Sequence, residues 1–310
     1  MTHPALAVRG LRKRFGDRVA LDGVDLELSG PQLVGVVGPD GAGKTTLLRA
    51  IAGLLEIEAD SAHVLGVDLT GDVRELKARI GYVPQVFSLP RDLSVIENLR
   101  FAARLHRLDA DVFRLRAESL LARTGLAPFT GRMAGALSGG MKQKLAISCA
   151  LLSEPVLLLL DEATAGVDVI ARDEIGSMLR ERRRTTLILI STSYREEVET
   201  CDRLVYLDAG RLVATGTPAE LRRRVAVEFY RAWGDDPRAI ADAARALPYV
   251  EDARAINGYA RVEVPRARTP GEPRVLADLA ALPVRVHLTE PLALDAETML
   301  LALARGEVAR

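Results

Sequence analysis

Gly38-Pro39-Asp40-Gly41-Ala42-Gly43-Lys44-Thr45 is the stretch on which the reading of this chain turns. A β-branched run suited to a buried parallel strand, Leu33-Val34-Gly35-Val36-Val37, comes before it. Leu47, Leu48, Ile51 and Leu54 follow at helical spacing. Between a strand and a helix, a G-x-x-x-x-G-K-[ST] segment has a physical task. Its glycines let successive N–H groups curl inward onto an anion, and the helix start adds its positive end. In such a loop Lys44 reaches the β- and γ-phosphates of a nucleotide, and the Thr45 hydroxyl is placed to ligate Mg²⁺. The bland alternative is a glycine-rich turn carrying an incidental lysine. Lysine stands at only five positions (13, 44, 77, 142 and 144) among 42 basic residues, so its presence here marks a need for the compact ammonium group.

Outward from the loop, two further apolar runs predict buried strands. Val156–Leu160 ends in Asp161-Glu162, and Thr186–Ile190 ends in Ser191-Thr192-Ser193. A carboxylate at the exit of a buried strand needs a cation or donors, so Asp161 is read as a Mg²⁺ partner. Glu162 beside it is a candidate general base for an attacking water. The competing reading of this pair is a helix cap followed by a first-turn acid. Strands alternating with helices argue for an α/β fold around a parallel sheet. At the N-terminus, Leu6–Val8, Arg12–Phe15 and Val24–Leu28 read as short strands around a Gly16-Asp17 turn. The 87–154 stretch reads as helical, with Ser94-Val95-Ile96-Glu97 as a capping box. After Arg222-Arg223-Arg224 the order is strand (225–230), helix (236–247), strands 250–256 and 259–264 around Asn257-Gly258, helix (274–282), strand (284–288) and helix (295–305). That order is ferredoxin-like, a small α+β domain.

Composition narrows the function classes. The chain has 310 residues, with 42 Lys and Arg balanced by 42 Asp and Glu, which argues against a general nucleic-acid binder. At 48% hydrophobic and 27% charged it is expected to be globular. It has no apolar run long enough to span a bilayer and no signal-like N-terminus. Two cysteines, Cys149 and Cys201, fit a reducing cytosol.

Leu137-Ser138-Gly139-Gly140-Met141-Lys142-Gln143-Lys144 starts just ahead of the second buried strand, Ser138 lying 23 residues before Asp161. Taken with the phosphate loop and Asp161-Glu162, it resembles the signature motif of the ATP-binding-cassette (ABC) ATPases. The resemblance covers roughly residues 5–220. It implies a P-loop NTPase core with an antiparallel β subdomain and an inserted helical subdomain (about 87–154) over residues 1–222, and an accessory α+β domain over 223–310. It also implies ATP with Mg²⁺ as ligands, a triphosphate cradle of Gly38, Pro39, Asp40, Gly41, Ala42, Gly43, Lys44, Thr45 and Thr46, and Phe15 stacking on adenine. Tyr82-Val83-Pro84-Gln85 resembles the glutamine loop, which puts Gln85 on Mg²⁺ and water beside Thr45 and Asp161. Ser138, Gly139 and Gly140 would bind ATP held by an opposite subunit, in a homodimer or heterodimer, and Ala165-Gly166-Val167-Asp168 would communicate across it. The likeness is to ATPases of drug, antibiotic or lipid exporters and to the first cassette of tandem-cassette exporters. It implies ATP hydrolysis coupled to a separate membrane permease at the inner face of the cell membrane.

Ser193 departs from that pattern. The family usually has His there, and the four histidines (3, 63, 106 and 287) lie elsewhere in sequence. A hydroxyl cannot become cationic, so the resemblance implies a weakened catalytic role for Ser193. The local alternative is a capping box over Ser193-Tyr194-Arg195-Glu196. Asp40 replaces a commoner Asn and adds negative charge near the phosphates. Two other readings follow: a nucleotide-binding regulatory cassette with little hydrolysis, and a soluble ATPase acting on ribosomes or DNA. The neutral charge gives the second no support.

Overall fold

The computed structural model describes residues 5–293 together with 298, 299, 302 and 303. The chain divides into two compact units, Met1–Pro218 and Ala219–Arg310.

In the first unit the apolar runs become neighbouring strands. Gln32–Val37, Leu187–Ser191, Leu157–Asp161 and Ile80–Val83 lie side by side in parallel, flanked beyond Gln32–Val37 by Arg203–Asp208 and an antiparallel edge, Arg211–Gly216. The residues from Leu157 to Leu160 are fully buried, which is why the run carries no alternation. Each such side chain contributes about 1.5–3 kcal/mol by leaving water. The helix Lys44–Ile51 packs against the Leu157–Asp161 strand and buries Leu47, Leu48 and Ile51. Register does the rest: Ser191 stands opposite both Val36 and Asp161, so three strand exits meet at one level. The carboxyl ends of parallel strands are where ligands enter such sheets.

A second sheet has the order Arg18–Leu28, Leu6–Phe15, Ser61–Val64, Val67–Asp68. Here the expected pair of strands, 6–8 and 12–15, is corrected to one continuous strand. A bulge shifts its register between Val8 and Leu11, and the displaced Gly10 N–H donates to Asp25 Oδ1 at 2.6 Å. Between Val83 and Leu157 the described residues form no strand. This insertion holds the helices Val95–Leu105, Ala110–Thr124 and Gly139–Leu151, besides two short turns. The Ser94–Glu97 capping box forms: Glu97 N–H donates to Ser94 Oγ, and Ser94 N–H donates back to Glu97 Oε2 at 2.8 Å.

The second unit is an antiparallel sheet in the order Asp252–Ile256, Tyr259–Pro265, Val227–Gly234, Val286–Leu292, with helices Pro237–Ala244 and Glu272–Ala280. This is the ferredoxin-like order. Asn257 and Gly258 both take positive φ, 47° and 87°, as the tight hairpin requires. The last strand runs on past residue 288 through Pro291, because it is a sheet edge where a missing N–H breaks no ladder. The helix expected over 295–305 lies largely outside the described residues; Thr298, Met299, Ala302 and Leu303 are helical and buried. Among the described residues no helix is long and apolar enough to cross a membrane.

Cys149 and Cys201 are both buried, and burial pushes each thiol up to about 12. The thiolate is the reactive form. Native protein at pH 8 is therefore expected to take up no maleimide, and denatured protein two per chain, read by intact mass.

Candidate functional site

The loop from Gly38 to Thr45 takes its shape from its surroundings. At Gly43 φ is 104°, and a Cβ would lie 2.6 Å from the Ala20 carbonyl oxygen. At Gly38 φ is 147°, and a Cβ would lie 2.0 Å from the Leu207 carbonyl oxygen. Only glycine fits either place. Lys44, 6% exposed, donates from Nζ to the Gly38 and Pro39 carbonyls at 2.8 and 3.0 Å, which holds its ammonium over the loop. A cleft of about 470 Å³ opens above, lined by loop residues 40–46, Phe15, Arg18, Ala20, Gln85 and Glu162. That volume is in the range of small-ligand sites.

Beneath the cleft lies Asp161, fully buried. Its Oδ1 accepts from Thr45 Oγ1 at 2.9 Å and from Ser191 Oγ at 3.0 Å, and its Oδ2 accepts from the Tyr82 hydroxyl at 3.5 Å. Burial raises the Tyr82 pKa, while Arg49, whose Nε donates to the phenol oxygen at 3.5 Å, opposes that shift. The phenol therefore stays a donor. Ser191 Oγ also accepts the Glu162 N–H at 2.8 Å. Glu162 takes φ 48°, and its Oε2 accepts from Gln85 Nε2 at 2.6 Å. Thr45 and Asp161 are hard oxygen donors with one carboxylate between them. That set suits Mg²⁺, which takes one or two carboxylates and completes its shell with phosphate and water. Among the described residues no group of three or more His, Cys, Asp and Glu gathers to hold a metal.

The structure thus brings together Phe15, the loop, Thr46, Gln85, Asp161 and Glu162. It puts Ser138, Gly139 and Gly140 elsewhere: they open the helix Gly139–Leu151, do not line the cleft, and pack beside residues 166–171. Ser138 Oγ accepts the Met141 N–H at 3.3 Å. Ser193 is exposed and does not line the cleft. The capping box expected at Ser193 does not form. Thr192 Oγ1 takes the Tyr194 N–H at 3.0 Å, Tyr194 becomes the cap residue of Arg195–Thr200, and Ser193 turns outward. Tyr194 is instead packed under the Arg172 guanidinium, 3.6 Å from its ring centre, and Arg172 donates to the Val167 carbonyl at 3.1 Å.

Sequence reasoning missed Arg18, Ala20, Tyr82, Arg49 and Ser191. Arg18 had a signal, for it faces Phe15 across the Gly16-Asp17 turn. Ser191 had one too, as the hydroxyl residue closing the strand beside Asp161.

Comparison with known proteins points to a family. The family described as ABC transporter matches residues 21–165. The probable multidrug ABC transporter ATP-binding protein YbhF of Escherichia coli (strain K12) is 39% identical over 279 residues, 88% of this chain and 48% of that protein. The chain therefore spans about half the length of that relative. The daunorubicin resistance ATP-binding protein DrrA3 of Streptomyces coeruleorubidus is 39% identical over 224 residues, 72% of this chain and 71% of that protein. Among solved structures, an ATP binding subunit of an ABC transporter superposes with a TM-score of 0.66 at 30% identity, covering 71% of this chain and 92% of the other.

Gly43→Ala must either shift the Ala20 carbonyl or strain the loop, at about 1–3 kcal/mol. The variant is expected to melt lower than the parent and to bind ATP at least about tenfold more weakly by calorimetry, since about 1.4 kcal/mol is a factor of ten.

Proposed function

The chain belongs to the ABC transporter family, and on that premise we propose that it is the ATP-binding and ATP-hydrolysing subunit of an exporter, coupling nucleotide-driven pairing of two cassettes to a separate membrane permease. One observation carries the reading: the buried Asp161 is bonded to the phosphate-loop hydroxyl of Thr45, while the adjoining Glu162 faces the cleft under the hand of Gln85.

The residues divide the work as follows. The Phe15 ring, 50% exposed with Lys13 Nζ 5.3 Å from its centre, offers a face for the adenine base. The loop N–H groups and Lys44 hold the triphosphate. Thr45 and Asp161 would hold Mg²⁺, which would supply positive charge against the triphosphate. Glu162 accepts a proton from the attacking water, whose oxygen forms the new bond to the γ-phosphorus as the bond to the bridging β–γ oxygen breaks. The products are ADP and inorganic phosphate. Gln85 donates to the Glu162 carboxylate and so keeps it aimed into the cleft.

Ser138, Gly139 and Gly140 present a helix start with no acid in its first turn. They lie outside their own chain's cleft, which supports their use on ATP held by a second cassette. Through the permease the chain sits at the cytoplasmic face of the membrane. The relatives named for multidrug transport and daunorubicin resistance support export as the direction.

Ser193 stands outside the cleft, which favours a second reading in part: a cassette that binds ATP firmly and turns it over slowly by itself. The isolated chain is expected to hydrolyse slowly, and Ser193→His to hydrolyse faster. A rapid, cooperative rate from the unmodified chain alone would overturn the weak-site reading. Glu162→Gln removes the base and keeps the shape. It is expected to bind ATP with unchanged affinity, to lose about 10²–10⁴-fold in kcat, and to elute as an ATP-dependent dimer. Undiminished turnover by this variant would refute the assignment of Glu162.

A further inference from the structure

Glu162 has an unusual backbone. It is not glycine, yet its φ is 48°, inside the left-handed region. That conformation costs an L-residue about 1–2 kcal/mol, so something nearby must hold it. It also has a geometric effect. Successive residues of a straight strand point to opposite faces. A straight continuation of Leu157–Asp161 would send Asp161 and Glu162 apart, whereas the left-handed turn keeps Asp161 bonded to Thr45 while Glu162 lines the cleft.

Parallel pairing with Leu187–Ser191 ends at the Asp161–Ser191 step, where a side chain takes over from the ladder. Ser191 is fully buried. A hydroxyl has one proton and two lone pairs. Ser191 gives its proton to Asp161 Oδ1 at 3.0 Å and accepts the Glu162 N–H at 2.8 Å. One oxygen thereby ties the carboxylate beneath the cleft to the backbone that aims the carboxylate within it.

We propose that Ser191 is a positioning residue: its hydroxyl locks Glu162 in the left-handed turn and so sets the aim of the general base, without touching nucleotide itself. The proposal rests on the reading of Glu162 as that base. Alanine at 191 leaves the Glu162 N–H without its partner and Asp161 with one donor fewer. Threonine keeps the hydroxyl.

The test uses the full chain as parent, Ser191→Ala and Ser191→Thr, with two measurements: steady-state ATP hydrolysis with Mg²⁺, and deuterium uptake of the peptide containing residues 161–166. Small misplacement of a reacting group costs up to about a hundredfold. Ser191→Ala is expected to lose at least about tenfold in kcat with KM for ATP within about twofold, because an interaction used only in the transition state lowers kcat alone. Its 161–166 peptide should exchange faster, while Ser191→Thr stays near the parent in both readouts. A purely structural hydroxyl would not produce that split between kcat and KM. Parental kcat and parental exchange in Ser191→Ala would overturn the proposal, as would a rise in KM at constant kcat. If the parent itself turned over no ATP, that failure would bear on the reading of this chain as a hydrolysing subunit and not on Ser191, and the exchange measurement alone would decide whether Ser191 holds the turn.

Discussion

The structure depends on how one buried carboxylate is satisfied. Asp161 lies at the end of an all-leucine strand, out of reach of bulk water, where an unpartnered charge is untenable. Hydroxyls from three different elements meet it: Thr45 from the loop-following helix, Ser191 from the next strand and Tyr82 from the strand on the other side. Each bond to a charged acceptor contributes about 1.5–3 kcal/mol net when well formed. Their combined effect is geometric as much as energetic. Helix and strands cannot slide past one another without stranding the carboxylate, so the register of the parallel sheet and the position of the phosphate loop are set together.

The loop is held with equal firmness from its other side. Gly210 N–H donates to the Ala42 carbonyl at 3.0 Å, and the Gly210 carbonyl accepts the Asp22 N–H at 2.9 Å. A backbone relay therefore runs from the antiparallel sheet through the turn after Arg203–Asp208 to the loop. The same sheet carries Phe15 and Arg18 into the cleft. The Phe15 ring and the loop amides are thus referenced to one framework. Preorganisation of this kind spares the ordering cost that a loose loop would meet on binding.

What was legible in the sequence follows from this construction. Residues 33–37, 157–160 and 187–190 show themselves because burial on both faces removes every polar residue there, and the loop shows itself because only glycines permit its path. Ile80–Val83, Arg203–Asp208 and Arg211–Gly216 do not: they are short or flanked by charges, and they become strands through their partners rather than through their own pattern. The N-terminal strand reads as two because a bulge interrupts its alternation. The outward turn of Ser193 was hidden for a similar reason. Ser193 and Thr192 both carry a hydroxyl able to cap, and only the three-dimensional path decides that Thr192 does so.

Contacts continue from Asp161 and Glu162 to the surface that carries Ser138. Ser191 bonds Asp161 and the Glu162 amide, and Thr192 holds the Tyr194 amide. The Tyr194 ring stacks under Arg172, and Arg172 grips the Val167 carbonyl. A Cβ on Gly140 would lie 3.2 Å from Asp168 Oδ2 and 2.8 Å from the Ala171 Cβ, so the helix start opened by Ser138 sits tightly on that same loop. Contiguity alone transmits nothing; coupling requires an element with two arrangements that both ends bias. Glu162 is the strained non-glycine residue in this chain of contacts, its amide held at positive φ by Ser191. If the proposed arrangement of two cassettes holds, pressure of a partner's nucleotide on the 138–140 helix start would act on the 166–168 loop and, through Arg172 and Tyr194, on the segment that includes Ser191. The aim of the base would then depend on the presence of the partner, and hydrolysis would wait for assembly without any change in the phosphate loop itself.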